Sequence, residues 1–243
     1  QLWQLLKATI INRTDLKALR RKGYPVRGIL SLIQNDNDTN TIVYTSEAFQ
    51  PCAETFSDKY SFVGAVLDHI SLELKPHKKK LIYISMGTVN HDFPEFYQNC
   101  IEAFRNTDYL VVISAGENTD LSAIRDIPRH IRVYASVNQT EILQTSDVFL
   151  THCGMNSVSE SLYYNVPLVM FPQTNEQKGV AQRTFDIGAG IYLNKTTPEH
   201  ILQTVETILN NAAYQRNANA IGQTLRESGG ARKAADTILQ TIK

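Results

Sequence analysis

The chain has 243 residues, with 24 Lys plus Arg against 24 Asp plus Glu, and its hydrophobic and charged fractions are 42% and 20%. This composition is typical of a globular protein with enough apolar residues for a sizeable core, and the length suits one large domain or one domain with part of another. Because the charges balance, no overall field attracts nucleic acid or an anionic membrane, and neither is expected as a partner.

The cysteines indicate the compartment. Cys52, Cys100 and Cys153 are widely spaced and form no CxxC pair, which fits neither a disulfide framework nor a zinc site. We therefore expect a cytoplasmic protein. No apolar stretch reaches the ~20 residues that a membrane span needs, and no signal peptide is visible, so stable membrane insertion is not expected.

The pattern of the first 80 residues indicates the C-terminal part of a domain. They contain one helix-like stretch at 1–24 and two candidate strands at 41–46 and 60–66, and two strands rarely form a stable sheet alone. We interpret residues 1–71 as a partial N-terminal domain whose beginning is missing. The polar, basic stretch at 72–80 is interpreted as a solvated linker.

From residue 81 onward, short apolar runs alternate with stretches of helical periodicity, which predicts repeated βα units. The candidate strands are 81–87, 109–114, 131–136, 147–152, 167–171 and 191–194. The candidate crossover helices are 94–106, 119–126, 138–146, 156–165 and 176–188. Residues 81–243 are therefore expected to form an α/β domain with a doubly wound, parallel, Rossmann-like sheet of about six strands. Three further helices, beginning near Pro198, Ala212 and Gly230, are expected after it.

A first polar cluster follows the strand at 147–152. His152, Gly154, Asn156 and Ser157 lie between the carboxyl end of a strand and the start of a helix, where open α/β sheets bind ligands. Unpaired backbone N–H groups at a helix start favour a phosphate, and a glycine allows close approach. A local alternative remains, because Ser157 and Glu160 have the S-x-x-E spacing of a capping box.

A second polar cluster follows the strand at 167–171, the expected sheet neighbour. Its carboxylate and amide groups, Glu176 and Gln177, could hold sugar hydroxyls, although Thr174 or Asn175 could equally cap the helix there. Ser85, Gly87 and Thr88 form another polar turn after the first strand of the domain, and Gln139 belongs to a fourth.

The segment 138–177, "NQTEILQTSDVFLTHCGMNSVSESLYYNVPLVMFPQTNEQ", resembles the donor-binding signature of the UDP-glycosyltransferases, most closely the bacterial macrolide-type branch with the GT-B fold. The resemblance implies that His152, Asn156 and Ser157 bind the donor diphosphate, with Ser85 and Thr88 nearby. It implies that Glu160 binds the ribose hydroxyls, with Gln139 close to the ribose. Glu176 and Gln177 would bind the transferred sugar.

Two positions depart from that family. Ser136 stands where an aromatic ring usually stacks on the base. Either Tyr134 or Val137 substitutes for that ring, or the nucleotide specificity is relaxed. The family's catalytic histidine and its orienting aspartate, which belong to the start of the acceptor domain, have no counterpart in this chain. The catalytic base is therefore unassigned.

The resemblance implies inverting, metal-independent transfer of a hexose, UDP-glucose-like, from a nucleoside-diphosphate sugar to a hydroxyl of a small hydrophobic or natural-product acceptor, without a cofactor. A nucleotide-sugar-binding subunit that needs a separate acceptor-binding chain is an alternative, and so is a sugar-nucleotide epimerase. A thiol hydrolase using Cys153 beside His152 is disfavoured, because adjacent residues on a strand point in opposite directions.

Overall fold

The computed structural model describes residues 13–28, 31, 39–67, 78–87 and 94–241. These fall into two compact units, one drawn from residues 1–42 and 54–61 and the other from 43–53 and 62–243. The predicted division into 1–71, a linker at 72–80 and 81–243 stays a prediction, and most of the linker lies outside the described residues. None of the described helices is long and apolar enough to cross a membrane.

The first unit contains helix α1, Arg13–Arg21, whose first turn carries an acidic residue and whose last turn is basic, as the helix dipole favours. Only Leu16 of this helix is buried. Arg20 donates from Nε to the carbonyl oxygen of Val26 over 2.6 Å, which holds the chain that follows the helix. The helix-like stretch predicted at 1–24 is thus helical over α1, and residues 1–12 lie outside the described part.

Two short strands, β1 (Thr41–Val43) and β2 (Tyr60–Phe62), form a two-stranded sheet, and a 3-10 turn at Ala53–Thr55 lies between them in the chain. Both are shorter than the predicted strands.

The second unit is built on a six-stranded sheet in which every pair of neighbours is parallel. Its strands are β3 (Leu81–Ser85), β4 (Leu110–Ser114), β5 (Ile131–Tyr134), β6 (Val148–Thr151), β7 (Leu168–Met170) and β8 (Gly190–Tyr192). Their spatial order is β5-β4-β3-β6-β7-β8. This order reverses between β3 and β6, as in a doubly wound fold, so the predicted fold class is confirmed.

The helices of this unit are α2 (Pro94–Phe104), α3 (Gln139–Leu143), α4 (Met155–Tyr163), α5 (Asn175–Asp186), α6 (Pro198–Leu209), α7 (Ala212–Glu227) and α8 (Gly230–Thr241). The crossover helix predicted at 119–126 is wrong, because only a 3-10 turn forms at Leu121–Ala123. The carboxylate of Asp120 accepts from the backbone N–H of Ser122 over 2.9 Å and closes a single turn. The chain is extended again at Ile124, which is buried without a longer helix.

The core has two layers, because successive residues of each strand point to opposite faces of the sheet. Ile82 and Ile84 of β3 belong to the layer that also contains the buried residues of α2 and α6. Tyr83 belongs to the other layer, with Phe149 of β6 and the buried residues of α4 and α7.

Part of the N-terminal segment is fixed to this second layer. Phe49 is buried in it at 4% exposure. Arg183 of α5 donates from Nε to the carbonyl oxygen of Phe49 and from Nη2 to that of Ala48, each over 2.7 Å. Ser46 accepts from the hydroxyl of Thr224 on α7 over 2.8 Å. The segment 43–53 is therefore an integral part of the unit that carries the sheet.

Candidate functional site

The carboxyl ends of the six strands meet along one edge of the sheet. The register aligns one residue from each strand in a single row, from β5 to β8: Tyr134, Ser114, Ser85, Thr151, Met170 and Tyr192. Thr151 and Met170 are partners, so the polar clusters that follow β6 and β7 start one strand apart. The two clusters predicted from the sequence therefore begin at the same edge.

The turn between β6 and α4 has an unusual backbone. Cys153 has a φ of 67°, a left-handed conformation that residues other than glycine adopt rarely and that costs of order 1–3 kcal/mol. Gly154 then forms the N-cap of α4, without a side-chain cap. The first N–H groups of α4 thus lack intrahelical partners and face the sheet edge with the positive end of the helix dipole.

The residue at which α4 begins shows that the predicted capping box is wrong. Since α4 begins at Met155, Ser157 is its third residue rather than its N-cap, and the Ser157–Glu160 capping box does not form. The carboxylate of Glu160 instead accepts a hydrogen bond from the side chain of Gln139. Both residues are therefore available for a ligand.

His152 is held between two glycines. A Cβ at Gly87 would lie 2.5 Å from Cε1 of the imidazole, and one at Gly154 would lie 2.7 Å from its Nε2. Only glycine at both positions leaves room for the ring. Nδ1 of His152 lies 3.4 Å from the hydroxyl of Thr151. Burial lowers the pKa of His152, and the backbone of Ser85 offsets part of that effect, so the ring is predominantly neutral near pH 7.

A hydrogen-bonded network lies beside the histidine. Nε2 of Gln139 donates to Oε2 of Glu160 over 2.7 Å and, more weakly, to Oγ of Ser157 over 3.4 Å. Oε1 of Gln139 accepts from the hydroxyl of Tyr83 over 3.3 Å. Burial raises the pKa of Glu160, and the hydrogen bond from Gln139 lowers it in part. Because Ser157 accepts here, its own hydroxyl hydrogen stays free to donate.

These groups line one cavity of about 630 Å³, a volume within the range of small-molecule sites. Its lining includes the following predicted site residues: Ser85, Gln139, His152, Gly154, Asn156, Ser157 and Glu160. Ser136 and Val137 also line it, whereas Tyr134 does not. Thr88, the remaining predicted residue of the first turn, lies outside the described residues.

Glu176 and Gln177 do not line this cavity; they lie in the first turn of α5, after the neighbouring strand β7. Glu176 is exposed. Thr174 is the N-cap and forms a capping box with Gln177, whose Oε1 accepts from the backbone N–H of Gln173 and of Thr174 over 2.8 and 3.1 Å. The cap fixes the acceptor end of the Gln177 amide and leaves its Nε2 as the group available to a ligand.

Several lining residues were missed by the sequence reasoning. Tyr83 and Ser114 lie on strands, and Gly116, Glu117 and Asn118 form the turn after β4. Two signals could have found them. A polar, glycine-containing turn follows the strand at 109–114, and Tyr83 stands two residues before Ser85, which places both on the same face of a strand.

Among the described residues, the buried cysteines and the histidines other than His152 do not line this cavity. Burial raises the pKa of the Cys153 thiol to about 12, and that of Cys100 rises as well, so neither is a reactive thiolate near neutral pH. His130 and His200 lie outside the lining, while His69, His77 and His91 lie outside the described residues. In the part of the chain that the structure describes, no group of three His, Cys, Asp or Glu side chains could hold a metal ion.

A doubly wound sheet with an uncapped helix start beside a polar cavity at its switch point is typical of nucleotide-binding proteins. Comparison with known proteins gives the family. Residues 98–236 match the model of the erythromycin biosynthesis protein CIII-like C-terminal domain. The uncharacterized UDP-glucosyltransferase YojK of Bacillus subtilis is 38% identical over 210 residues, which are 84% of this chain and 52% of that protein. The NDP-glycosyltransferase YjiC of the same organism is 36% identical over 208 residues, 83% of this chain and 53% of that protein.

Solved structures of glycosyltransferases are also similar to this chain. The crystal structure of CalG4, the calicheamicin glycosyltransferase, has a TM-score of 0.82 and 25% identity over 95% of this chain and 60% of that one. The glycosyltransferase of kitacinnamycin also has a TM-score of 0.82, with 26% identity over 94% of this chain and 60% of that one. The chain belongs to the macrolide-type branch of the GT-B UDP-glycosyltransferases and contains the C-terminal domain of that family. It spans about half the length of the curated relatives it matches.

Proposed function

We propose that this protein binds a nucleoside-diphosphate sugar in the cavity at the carboxyl edge of its sheet and that the whole enzyme transfers the sugar to a hydroxyl group of a small molecule. The observation that carries the proposal is the convergence of four separate turns, those after β3, β4, β5 and β6, on one cavity. Ser85, His152 and the start of α4 supply anion-binding groups there, and Gln139 with Glu160 supplies groups for hydroxyls.

The diphosphate would bind at the start of α4. The dipole of a helix contributes only about 0.3–1 kcal/mol, whereas a hydrogen bond to a charged group contributes about 1.5–3 kcal/mol. The hydroxyl of Ser157, the amide of Asn156 and the imidazole of His152 therefore determine the affinity. Negative charge on the diphosphate grows as the glycosidic bond breaks, so the same donors stabilise the transition state more than the ground state.

The sugar and the ribose would engage the carboxylates. Glu160 can accept from ribose hydroxyls while it keeps its bond from Gln139, because a carboxylate accepts several hydrogen bonds. Glu176 can accept from the sugar, and Nε2 of Gln177 can donate to it. The names of the relatives, a UDP-glucosyltransferase and an NDP-glycosyltransferase, support a UDP-glucose-like hexose donor. Ser136 in the lining leaves the nucleobase without an aromatic platform at that position.

By resemblance to the family, the proposal also includes three finer statements. The transfer inverts the configuration at the anomeric carbon, it needs no metal ion, and its acceptor is a hydrophobic natural product. Relatives named as oleandomycin and zeaxanthin transferases support the class of acceptor. A chain that also contains an acceptor domain can be assayed with and without EDTA, and proton NMR of the product anomer reads the stereochemistry. Retention of configuration, or loss of activity with the chelator, would contradict these parts.

The donor site is tested on the chain itself by isothermal titration with UDP and with UDP-glucose. His152→Ala should lower the affinity for both ligands at least about tenfold, as expected for a lost hydrogen bond to a charged group. His200→Gln is the matched control, because that histidine is half-buried outside the cavity. Unchanged affinity in His152→Ala would refute the diphosphate assignment.

The sugar contact is tested separately with Glu176→Gln, which leaves the capping box intact. This variant should bind UDP as the wild type does and lose part of its affinity for UDP-glucose. Equal effects on both ligands would contradict the assignment of Glu176 to the sugar.

A further inference from the structure

Tyr83 is an aromatic residue of the cavity lining, and its ring is buried. It lies on β3, one of the two central strands, at 1% exposure. Its ring stacks on that of Phe149 from β6, with the centroids 4.6 Å apart and the planes 18° from parallel. Its hydroxyl group bonds to Gln139, another residue of the cavity lining. A polar tip on a side chain that is fixed this firmly is suited to orienting a neighbour.

The neighbour is the side-chain amide of Gln139. This amide has an acceptor end and a donor end, which a rotation of 180° would exchange. The hydroxyl of Tyr83 donates to Oε1 over 3.3 Å, while Nε2 donates to Glu160 over 2.7 Å. Burial raises the pKa of Tyr83 to about 12, so its hydroxyl keeps its proton throughout the physiological range. The hydroxyl also interacts with the side chains of Ser85 and Ser114, and in this arrangement its proton is directed to the acceptor end of the Gln139 amide.

Gln139 needs such support because of where it lies. It is the first residue of α3, a helix of only five residues, and it is half-buried at the rim of the cavity. A reversed amide would direct Oε1 at the carboxylate of Glu160, and two acceptors would then repel each other. Glu160 would turn away from the cavity or take up a proton.

We propose that Tyr83 is a positioning residue for donor binding: its hydroxyl fixes the orientation of the Gln139 amide, which in turn holds the Glu160 carboxylate where ribose hydroxyls reach it. This inference rests on the proposed function, in which Glu160 binds the ribose. Tyr83 touches no reacting atom; it acts through two other side chains and determines how strongly the site discriminates for the ribose hydroxyls.

The test is titration calorimetry of the chain with UDP and with 2′,3′-dideoxy-UDP. Wild type should bind UDP more tightly than the dideoxy nucleotide. Tyr83→Phe retains the ring and its stacking, and it should weaken UDP binding about five- to tenfold, the effect of one lost hydrogen bond, while dideoxy-UDP binding stays unchanged. In a Glu160→Gln background, adding Tyr83→Phe should have no further effect on UDP.

Two controls separate positioning from a general structural role. Tyr109→Phe removes a hydroxyl that precedes β4 at the opposite, amino edge of the sheet, and it should leave both affinities unchanged. Gln139→Met removes the amide through which Tyr83 acts, so it should weaken UDP binding at least as much as Tyr83→Phe does, and adding Tyr83→Phe to it should have no further effect. Circular dichroism melting identifies any variant that is unfolded.

The outcomes are distinguishable. If Tyr83→Phe weakens both nucleotides equally, or if its effect persists with Glu160→Gln, the positioning role is wrong and the proposed function stands. If UDP affinity is unchanged in folded Tyr83→Phe, the positioning role is again wrong. If wild type does not bind UDP, or does not distinguish it from the dideoxy nucleotide, the ribose assignment of Glu160 is overturned along with the inference.

Discussion

The imidazole of His152 packs directly against the α-carbon of Gly87, so closely that a Cβ there would come within 2.5 Å of Cε1. The two residues follow β6 and β3, which are paired neighbours in the sheet. Gly87 also has a φ of +83°, a conformation that L residues adopt rarely. The position of the histidine at the sheet edge thus depends on a glycine from a different βα unit.

Gly87→Ala is expected to displace the ring and to weaken UDP binding at least about tenfold, comparable with loss of the hydrogen bond to a charged group. Titration calorimetry measures the change. Gly179→Ala is the matched substitution, because Gly179 lies in the helix α5 with nothing within 4 Å of its added Cβ. It should raise stability by about 0.5–1 kcal/mol and leave UDP binding intact. Full affinity in Gly87→Ala would show that the ring position is unimportant.

The pH dependence of donor binding follows from the burial of His152, which lowers its pKa below the ordinary value of 6.5. A bound diphosphate favours the charged imidazole and raises that pKa. Between the lower pKa of the free protein and the higher one of the complex, binding takes up a proton, so affinity should increase as pH falls through this window. UDP-glucose is the suitable ligand, because neither of its phosphates ionises there.

Calorimetry of UDP-glucose binding in two buffers with different ionisation enthalpies gives the number of protons that the protein takes up on binding. Proton uptake that rises in wild type as the pH is lowered below neutrality, and that is absent in His152→Ala, is the expected result. Proton release, or equal uptake in both proteins, would contradict the assignment.

The anchoring of segment 43–53 predicts a stability effect. Arg183 forms two hydrogen bonds to the carbonyl oxygens of Ala48 and Phe49, next to a buried aromatic ring. Arg183→Ala should lower the free energy of unfolding by about 1.5–3 kcal/mol, as measured by denaturant titration. Limited proteolysis should then cut near these residues. Arg216→Ala, at an exposed position on α7, should change neither measurement.

The three thiols should differ in reactivity. Cys52 is exposed, whereas Cys100 and Cys153 are buried, with the pKa of Cys153 raised to about 12. In the native protein a thiol reagent should modify Cys52 alone, and all three should react after denaturation. Mass spectrometry of the labelled peptides identifies the sites. Rapid labelling of Cys153 in the folded state would reopen the thiol hydrolase interpretation.

The sequence predicted the architecture of residues 81–241 well because that signal is local. Each strand is an apolar run bounded by polar residues, and each long helix has its own periodicity, so six strands and the three C-terminal helices were confirmed. The stretch 119–126 failed because Leu121 and Ile124 are three residues apart, a spacing that a single 3-10 turn satisfies as well as a helix does. The local capping rule likewise could not indicate that α4 begins two residues before Ser157.

By itself, the sequence determined the order of the βα units, and therefore which turns lie at the carboxyl edge, since parallel strands all end on the same side. It also provided the residues of the signature from Gln139 to Gln177. Only the tertiary structure decided which of those residues share a cavity and what else lines it. The packing of Gly87 against His152 and the Tyr83–Gln139–Glu160 network each join residues that are far apart in the sequence through side-chain geometry. Linear spacing does not specify that geometry, because it arises from sheet register and helix placement.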